Sequence, residues 1–166
     1  MCGDNVQPVI DCLRVLGNNI APDDAYLALR GMRTLSVRLK RHEKNALKVA
    51  DWLASQSEID RVLHPALPSC PGHDLWQRDF SGSNGLFGVV FKPASEASMH
   101  SFIDGLELFR LGGSWGGYES LVLPTNVTRT ATKWTENAQS IRFHIGLEDP
   151  DDLIEDIAAG LKRLVD

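Results

Sequence analysis

The segment Gly112-Gly113-Ser114-Trp115-Gly116-Gly117-Tyr118 has the residue types of a backbone that turns sharply or approaches another group closely. Glycine reaches positive φ without steric cost, Ser114 offers a small hydrogen-bonding group, and Trp115 offers a flat apolar wall. The segment has neither the Gly-x-Gly-x-x-Gly pattern of dinucleotide sites nor the Gly-Lys-Ser/Thr ending of a phosphate-binding loop. Two interpretations stay open: a hairpin turn between two strands, or a loop that approaches a further group.

Arg142 is the residue best suited to bind an anion. Apolar and polar residues alternate over 140–147, so Arg142 and His144 share one face of a strand. The opposite face is apolar and consists of Ile141, Phe143 and Ile145. If the face of Arg142 lines a cleft, its planar guanidinium can hold a carboxylate with two hydrogen bonds; otherwise it is solvated or salt-bridged. For His144 we expect packing or solvent exposure rather than catalysis.

His64, Cys70 and His73 lie within ten residues and could be considered as metal ligands. Their spacing matches no strong zinc pattern and no fourth ligand is evident, so we favour a proline-rich loop and predict no metal site. A cysteine nucleophile would need a lowered thiol pKa, for which the sequence gives no sign.

The composition is that of a globular protein, with 43% hydrophobic and 23% charged residues in a chain of 166. The net charge of −5 argues against a nucleic-acid partner. Three cysteines without framework spacing predict a reducing, cytoplasmic location rather than a secreted disulfide scaffold. No apolar run reaches the length of a membrane span, so we expect no membrane partner.

The elements that must position these residues follow from hydrophobic spacing. Helices are predicted over 6–16, from Pro22 onward, from Thr34 to about Ser55, and over 94–106. Strands are predicted over 59–63, 86–91, 108–111, 120–123 and 140–147. Asp149 as N-cap and Pro150 at the first helical position predict a final helix. The expected fold is α+β, a mostly antiparallel sheet with helices packed on it.

Five segments then occur in one order along the chain: 25–35, 62–69, 71–73, 114–120 and 141–148. From about residue 18 onward, this order strongly resembles the pyridoxal-phosphate-dependent enzymes of cysteine and methionine metabolism. Within the family, Ser-Trp-Gly-Gly-Tyr-Glu-Ser is most similar to the bacterial cystathionine β-lyases. The γ-synthases and γ-lyases more usually have Leu and Val at the positions of Trp115 and Tyr118.

The resemblance implies the C-terminal domain of a fold-type-I enzyme, whose cytosolic homotetramers are built from active dimers. It implies pyridoxal 5'-phosphate as cofactor and cystathionine as the small amino-acid substrate. The implied carbon–sulfur lyase reaction breaks the Cβ–S bond to give homocysteine, pyruvate and ammonia, a trans-sulfuration step toward methionine. The cofactor withdraws electrons from the substrate Cα, and a lysine moves the protons.

The resemblance also implies roles for individual residues. Arg142 would bind the substrate α-carboxylate, and Ser114 would lie beside the cofactor-bearing lysine and orient it. Trp115 would form a wall of the substrate pocket, and Tyr26 would lie near its entrance. The β-lyases carry a tyrosine at the position of Gly113, so we expect a wider pocket here.

The family's cofactor-bearing lysine has no counterpart in the sequence. In the family it stands in a Ser-x-x-Lys setting, after an aspartate that pairs with the pyridine nitrogen, both in a large N-terminal domain. All lysines of this chain follow Tyr26: Lys40, Lys44, Lys48, Lys92, Lys133 and Lys162. We therefore expect a leading segment over 1–20 and the family's C-terminal domain over 21–166, with no catalytic residue and no covalent cofactor attachment.

On this interpretation the chain is a C-terminal part of a cystathionine β-lyase that is inactive alone. Two alternatives stay open. One is the corresponding part of a cysteine desulfhydrase or γ-lyase. The other is a non-catalytic binding or assembly module derived from the family, which pairs through the family's dimer surface or binds small carboxylates.

Overall fold

The computed structural model describes residues 6–125, 128–131 and 139–164. Contacts divide the chain into two compact units, Met1–Ser36 and Val37–Asp166. The described helices are α1 (Val6–Val15), α2 (Pro22–Met32), α3 (Leu35–Ala54), α4 (His73–Asp79), α5 (Glu96–Asp104) and α6 (Pro150–Leu161). The described strands are β1 (Ile59–Leu63), β2 (Leu86–Phe91), β3 (Arg110–Leu111), β4 (Leu121–Pro124) and β5 (Ser140–His144).

The N-terminal unit contains α1 and α2, and neither helix has a buried residue. As predicted, α2 begins at Pro22, whose fixed φ suits the first helical turn. Asp23 and Asp24 follow in that turn, where carboxylates interact favourably with the positive end of the helix dipole.

The larger unit is built on one five-stranded sheet of order β1-β2-β5-β4-β3, with β5 in the centre. The neighbours pair antiparallel except β3 and β4, which confirms the mostly antiparallel sheet. The hairpin interpretation of the glycine-rich segment is wrong, because Arg110 pairs with Leu121 and Leu111 with Val122 in parallel register. Parallel strands need a connection that crosses back, and residues 112–120 make that crossing.

The core of this unit joins the apolar face of β5 to three helices. Ile141 and Phe143 are buried, as their alternation predicts. They belong to the same buried cluster as these helical residues: Ala46, Val49, Ala50 and Leu53 of α3; Met99, Phe102 and Ile103 of α5; Leu153, Ile157 and Leu161 of α6.

The last helix has the start predicted from its sequence, since the Asp149 carboxylate accepts a hydrogen bond from the Asp151 N–H (2.9 Å). Helix α4 is not predicted by the sequence, because it has only seven residues and begins after Gly72, whose φ is +83°. None of the described helices combines the length and apolar character that crossing a membrane requires.

Candidate functional site

Strand β5 carries Arg142 and His144 side by side on the face opposite the apolar core residues. Its antiparallel pairing with β2 and β4 on both sides fixes the direction in which these side chains project. Both project toward residues 112–120, which we call the glycine-rich loop. The central strand therefore provides a rigid base for this loop.

Arg142 holds the first half of the loop through one end of its guanidinium. Its Nη2 donates to the carbonyls of Gly112 and Ser114, both at 3.1 Å. Its Nε is buried and has no hydrogen-bond partner among the described residues. A half-buried cation with a donor to spare is suited to bind a carboxylate, because burial strengthens the charge-assisted hydrogen bond.

His144 holds the second half of the loop. The Gly116 N–H donates to its Nε2 (3.1 Å), and the Gly117 carbonyl lies 3.2 Å from the same nitrogen. Both contacts need close approach of the backbone, and Gly116 has a φ of +83°, which glycine adopts without strain. His144 is buried, which confirms the expectation of packing. Through its contacts with Gly116 and Gly117, His144 also positions the loop.

A second histidine lies behind His144. The ring centroids of His42 and His144 are 5.2 Å apart, and His42 Nδ1 lies 2.7 Å from the Ile145 carbonyl. Burial lowers the pKa of His144, and the nearby His42 and Arg142 lower it further, while the Gly117 carbonyl and Glu148 oppose the shift. Burial therefore favours the neutral ring, and in the tautomer without a hydrogen on Nε2 that nitrogen accepts the Gly116 N–H.

Glu148 fastens the end of the loop. Its two carboxylate oxygens accept the Ser120 N–H (2.7 Å) and the Ser120 hydroxyl (2.8 Å). The Ser120 Oγ in turn accepts the Gly146 N–H (2.8 Å). A Cβ at Gly146 would collide with the Tyr118 carbonyl and with Glu148, so glycine is required there.

Of the four residues predicted for the site, the structure brings three together. Ser114 and Trp115 lie on the loop that Arg142 holds, and both are exposed, Trp115 at 61%. Tyr26 lies in the N-terminal unit, on α2, and its ring is also exposed. The side chains of Ser114 and Trp115 are thus open to a ligand placed over the loop.

Sequence patterns did not predict that three residues hold the loop: Arg38, His144 and Glu148. Arg38 donates to the Gly116 carbonyl (3.3 Å) from a helix more than seventy residues away in the chain. The alternation of apolar and polar residues along the strand places His144 beside Arg142, and this pattern was the sequence feature that could have indicated its contact with the loop. Glu148 lies just beyond β5, and nothing in its local pattern indicates a partner at Ser120.

The candidate metal ligands make separate contacts. His64 Nδ1 accepts the Ala66 N–H (3.2 Å), His73 Nδ1 lies 2.9 Å from the Pro65 carbonyl, and burial raises the pKa of Cys70. Over the described ranges, no three potential ligands cluster as a metal ion would require. Lys40, Lys44, Lys48, Lys92 and Lys162 are all exposed, and Lys133 lies outside the described residues.

Comparisons with known proteins identify the relatives of this chain. The family model for Cys/Met metabolism PLP-dependent enzymes matches residues 3–162. Cystathionine β-lyase MetC of Escherichia coli is 45% identical over 157 residues, which cover 91% of this chain and 40% of that protein. An L-alanine/L-glutamate racemase of Wolbachia pipientis is 42% identical over 152 residues, covering 89% of this chain and 38% of that protein.

A solved structure shows the same fold. The cystathionine γ-synthase of Xanthomonas oryzae pv. oryzae, in complex with cystathionine, superposes with a TM-score of 0.76 at 35% identity. The match covers 87% of this chain and 39% of that one. The chain therefore spans about 40% of the length of its relatives.

Proposed function

The chain belongs to the Cys/Met metabolism PLP-dependent enzymes, and from this membership we propose that it forms the substrate-carboxylate-binding part of a cystathionine β-lyase. In this proposal residues 21–166 are the family's C-terminal domain, and cystathionine is the substrate. The reaction is the β-elimination that releases homocysteine, pyruvate and ammonia.

The observation that carries the proposal is the state of Arg142. One end of its guanidinium is bound to the loop carbonyls, while its buried Nε has no partner among the described residues. The loop contacts fix the direction of the planar group before any ligand arrives, so binding costs little side-chain entropy. A substrate α-carboxylate would supply a neutralising charge to this half-buried cation.

Two loop residues support the β-lyase over the γ-lyase alternative. Trp115 and Tyr118 are aromatic at positions where the γ-enzymes more usually carry aliphatic residues, and both are exposed at the loop surface. Gly113 leaves open space where a Cβ would stand, which supports the expected wider pocket. We assign Trp115 to the wall of the substrate pocket, Ser114 to the orientation of the cofactor-bearing lysine, and Tyr26 to the pocket entrance.

The family depends on pyridoxal phosphate, but the described residues do not fit its covalent anchor. An anchoring lysine must have its amine held at the site, and the lysines that the structure describes are exposed. The loop N–H groups of Gly116 and Ser120 are already bound to His144 and Glu148, so they are not available for a phosphate. We therefore propose that the anchor comes from outside this sequence, and we assign this chain the binding of the substrate carboxylate.

Calorimetric titration with cystathionine tests the role of Arg142. We expect Arg142→Ala to weaken binding about tenfold or more, the loss for one hydrogen bond to a charged group. Arg110→Ala is the matched control, because it removes the same charge from an exposed residue of β3. Equal affinities of the wild type and Arg142→Ala, with unchanged thermal melts, would remove Arg142 from the site.

A second assay tests the missing anchor. The purified chain is mixed with pyridoxal phosphate and cystathionine, and both pyruvate release and the absorbance of lysine-bound cofactor are recorded. We expect neither signal above that of free cofactor. Either signal from the wild-type chain would contradict the proposal that the anchor lies elsewhere.

A further inference from the structure

Helix α3 presents a stripe of three polar side chains to the glycine-rich loop and its surroundings. Arg38, His42 and Asn45 have the spacing i, i+4 and i+7, which places them on one face of the helix. His42 and Asn45 are buried, and Arg38 is half-buried. Further along the helix the buried residues are apolar and include Val49, which belongs to the core. The apolar half therefore fixes α3 in the core, and the polar half, which we call the α3 stripe, faces the loop.

Two members of the α3 stripe act on the middle of the loop. Arg38 donates directly to the Gly116 carbonyl. His42 acts through His144, whose ring centroid lies 5.2 Å away and whose Nε2 contacts the Gly116 N–H. The His42 ring is itself fixed, because its Nδ1 donates to the Ile145 carbonyl at 2.7 Å and a carbonyl can only accept. Both backbone polar groups of Gly116 therefore depend on α3.

Asn45 acts on the segment that holds the end of the loop. Its Nδ2 donates to the carbonyls of Gly146 (3.2 Å) and Glu148 (2.9 Å). The Gly146 N–H and the Glu148 carboxylate in turn bond to Ser120, the last residue of the loop. One buried amide group thus aligns both partners of Ser120.

Stability alone does not explain the two buried side chains of the α3 stripe. Asn45 Oδ1 and His42 Nε2 are buried, and neither has a hydrogen-bond partner among the described residues. An unpaired buried polar atom costs folding free energy, which an apolar side chain of similar size avoids. The hydrogen bonds that these side chains do make all fix the loop or the segment that holds it. Their benefit is therefore a defined geometry.

We propose that the α3 stripe positions the glycine-rich loop for carboxylate binding at Arg142, with His42 and Asn45 as its buried positioning residues. The stripe holds the loop from one helix, so the two loop carbonyls that orient the Arg142 guanidinium stay in place. Without the stripe the guanidinium must be ordered when the ligand binds, which weakens binding. This role rests on the proposed function, because it concerns the affinity of that same site.

The preference for L-methionine over L-methioninamide measures carboxylate binding, and NMR titration of the 15N-labelled chain gives both affinities. Asn45→Leu and His42→Leu remove the buried donors and leave an apolar side chain in their place. We expect each variant to reduce the preference by about three- to tenfold, the range for one side chain that must be ordered on binding. The amide signals of Gly116 and Ser120 should shift in both variants before any ligand is added.

Val49→Ala is the matched control, because Val49 is fully buried on the same helix and packs in the core. It should lower the urea midpoint and leave the preference at the wild-type value. His42→Asn is the conservative variant: its side-chain amide keeps a donor for the Ile145 carbonyl and should restore most of the preference lost in His42→Leu. Asn45→Ser, which keeps one donor, replaces Asn45→Leu if the leucine variant does not fold, with a smaller decrease expected.

Two results would overturn the role of the α3 stripe. Both leucine variants could retain the wild-type preference, or Val49→Ala could reduce it as much as they do. A wild type without any preference would instead contradict carboxylate binding at Arg142. The amide signals of Gly116 and Ser120 then test the stripe separately: unchanged signals in both leucine variants overturn its role, and shifts that Val49→Ala lacks support it.

Discussion

Removal of the Glu148 carboxylate should loosen the glycine-rich loop from the sheet. Glu148 accepts two hydrogen bonds from Ser120, one from its backbone N–H and one from its hydroxyl. Ser120 is fully buried and itself bonds to the Gly146 N–H. In Glu148→Ala a buried N–H and a buried hydroxyl lose their acceptor together.

The expected loss follows from these contacts. A hydrogen bond to a charged group contributes about 1.5–3 kcal/mol. Because Glu148 is half-buried and its two bonds share one partner, they do not add fully, and we expect a loss of about 2–4 kcal/mol in the free energy of unfolding. Glu148→Gln keeps one acceptor oxygen, so its loss should be smaller.

Urea denaturation followed by circular dichroism measures the effect. With a slope of about 2 kcal/mol per molar urea, the midpoint of Glu148→Ala should fall by about 1–2 M. Glu119→Ala is the matched control, because this carboxylate lies on the same loop and is exposed. Equal midpoints for Glu148→Ala and Glu119→Ala would refute the role of Glu148 in holding the loop.

Three further outcomes follow from particular side chains. Burial lowers the pKa of His144 and of His64, so the unfolded chain binds protons more readily, and stability should decrease as pH falls from 7.5 through about 6.5. Denaturation of His144→Asn should show a smaller pH dependence, and an identical one would remove His144 from this effect. Burial raises the pKa of the Cys70 thiol whereas Cys12 is exposed, so a maleimide followed by mass spectrometry should label Cys12 before Cys70, and the reverse order would contradict the described burial. Ile157 is fully buried in α6, so Ile157→Ala should reduce stability by about 2–5 kcal/mol, and a loss below about 1 kcal/mol would show that α6 packs differently.

Sequence patterns predict the elements that are stabilised by residues close in the chain or that have regular hydrophobic spacing. Asp149, Pro150 and the stripe at Leu153 and Ile157 are sufficient to predict α6, because capping and helical spacing act within one segment. Alternation likewise predicts which face of β5 enters the core. These features depend on neighbours along the chain.

The features that sequence patterns miss depend on neighbours in space. The pairing of β3 with β4 is parallel, although a short glycine-rich connection usually indicates a hairpin. Arg38 and His144 meet the loop through contacts that span 78 and 28 positions along the chain. The resemblance of the ordered motifs predicts a role for Arg142, but its hydrogen bonds to the Gly112 and Ser114 carbonyls are visible only in the structure.

The central claim is that Arg142 binds the carboxylate of an amino-acid substrate. Cystathionine has two carboxylates, so we would use L-methionine, which has one, and L-methioninamide, which has none. NMR titration of the wild type and of Arg142→Ala with both compounds gives four affinities. The ratio of the L-methionine affinity to the L-methioninamide affinity is calculated for each protein. Dividing the wild-type ratio by the Arg142→Ala ratio isolates the contact between the guanidinium and the carboxylate.

We predict that the wild type prefers L-methionine over L-methioninamide by about tenfold or more, and that this preference disappears in Arg142→Ala. The same preference in both proteins would contradict the account, because the carboxylate would then bind elsewhere.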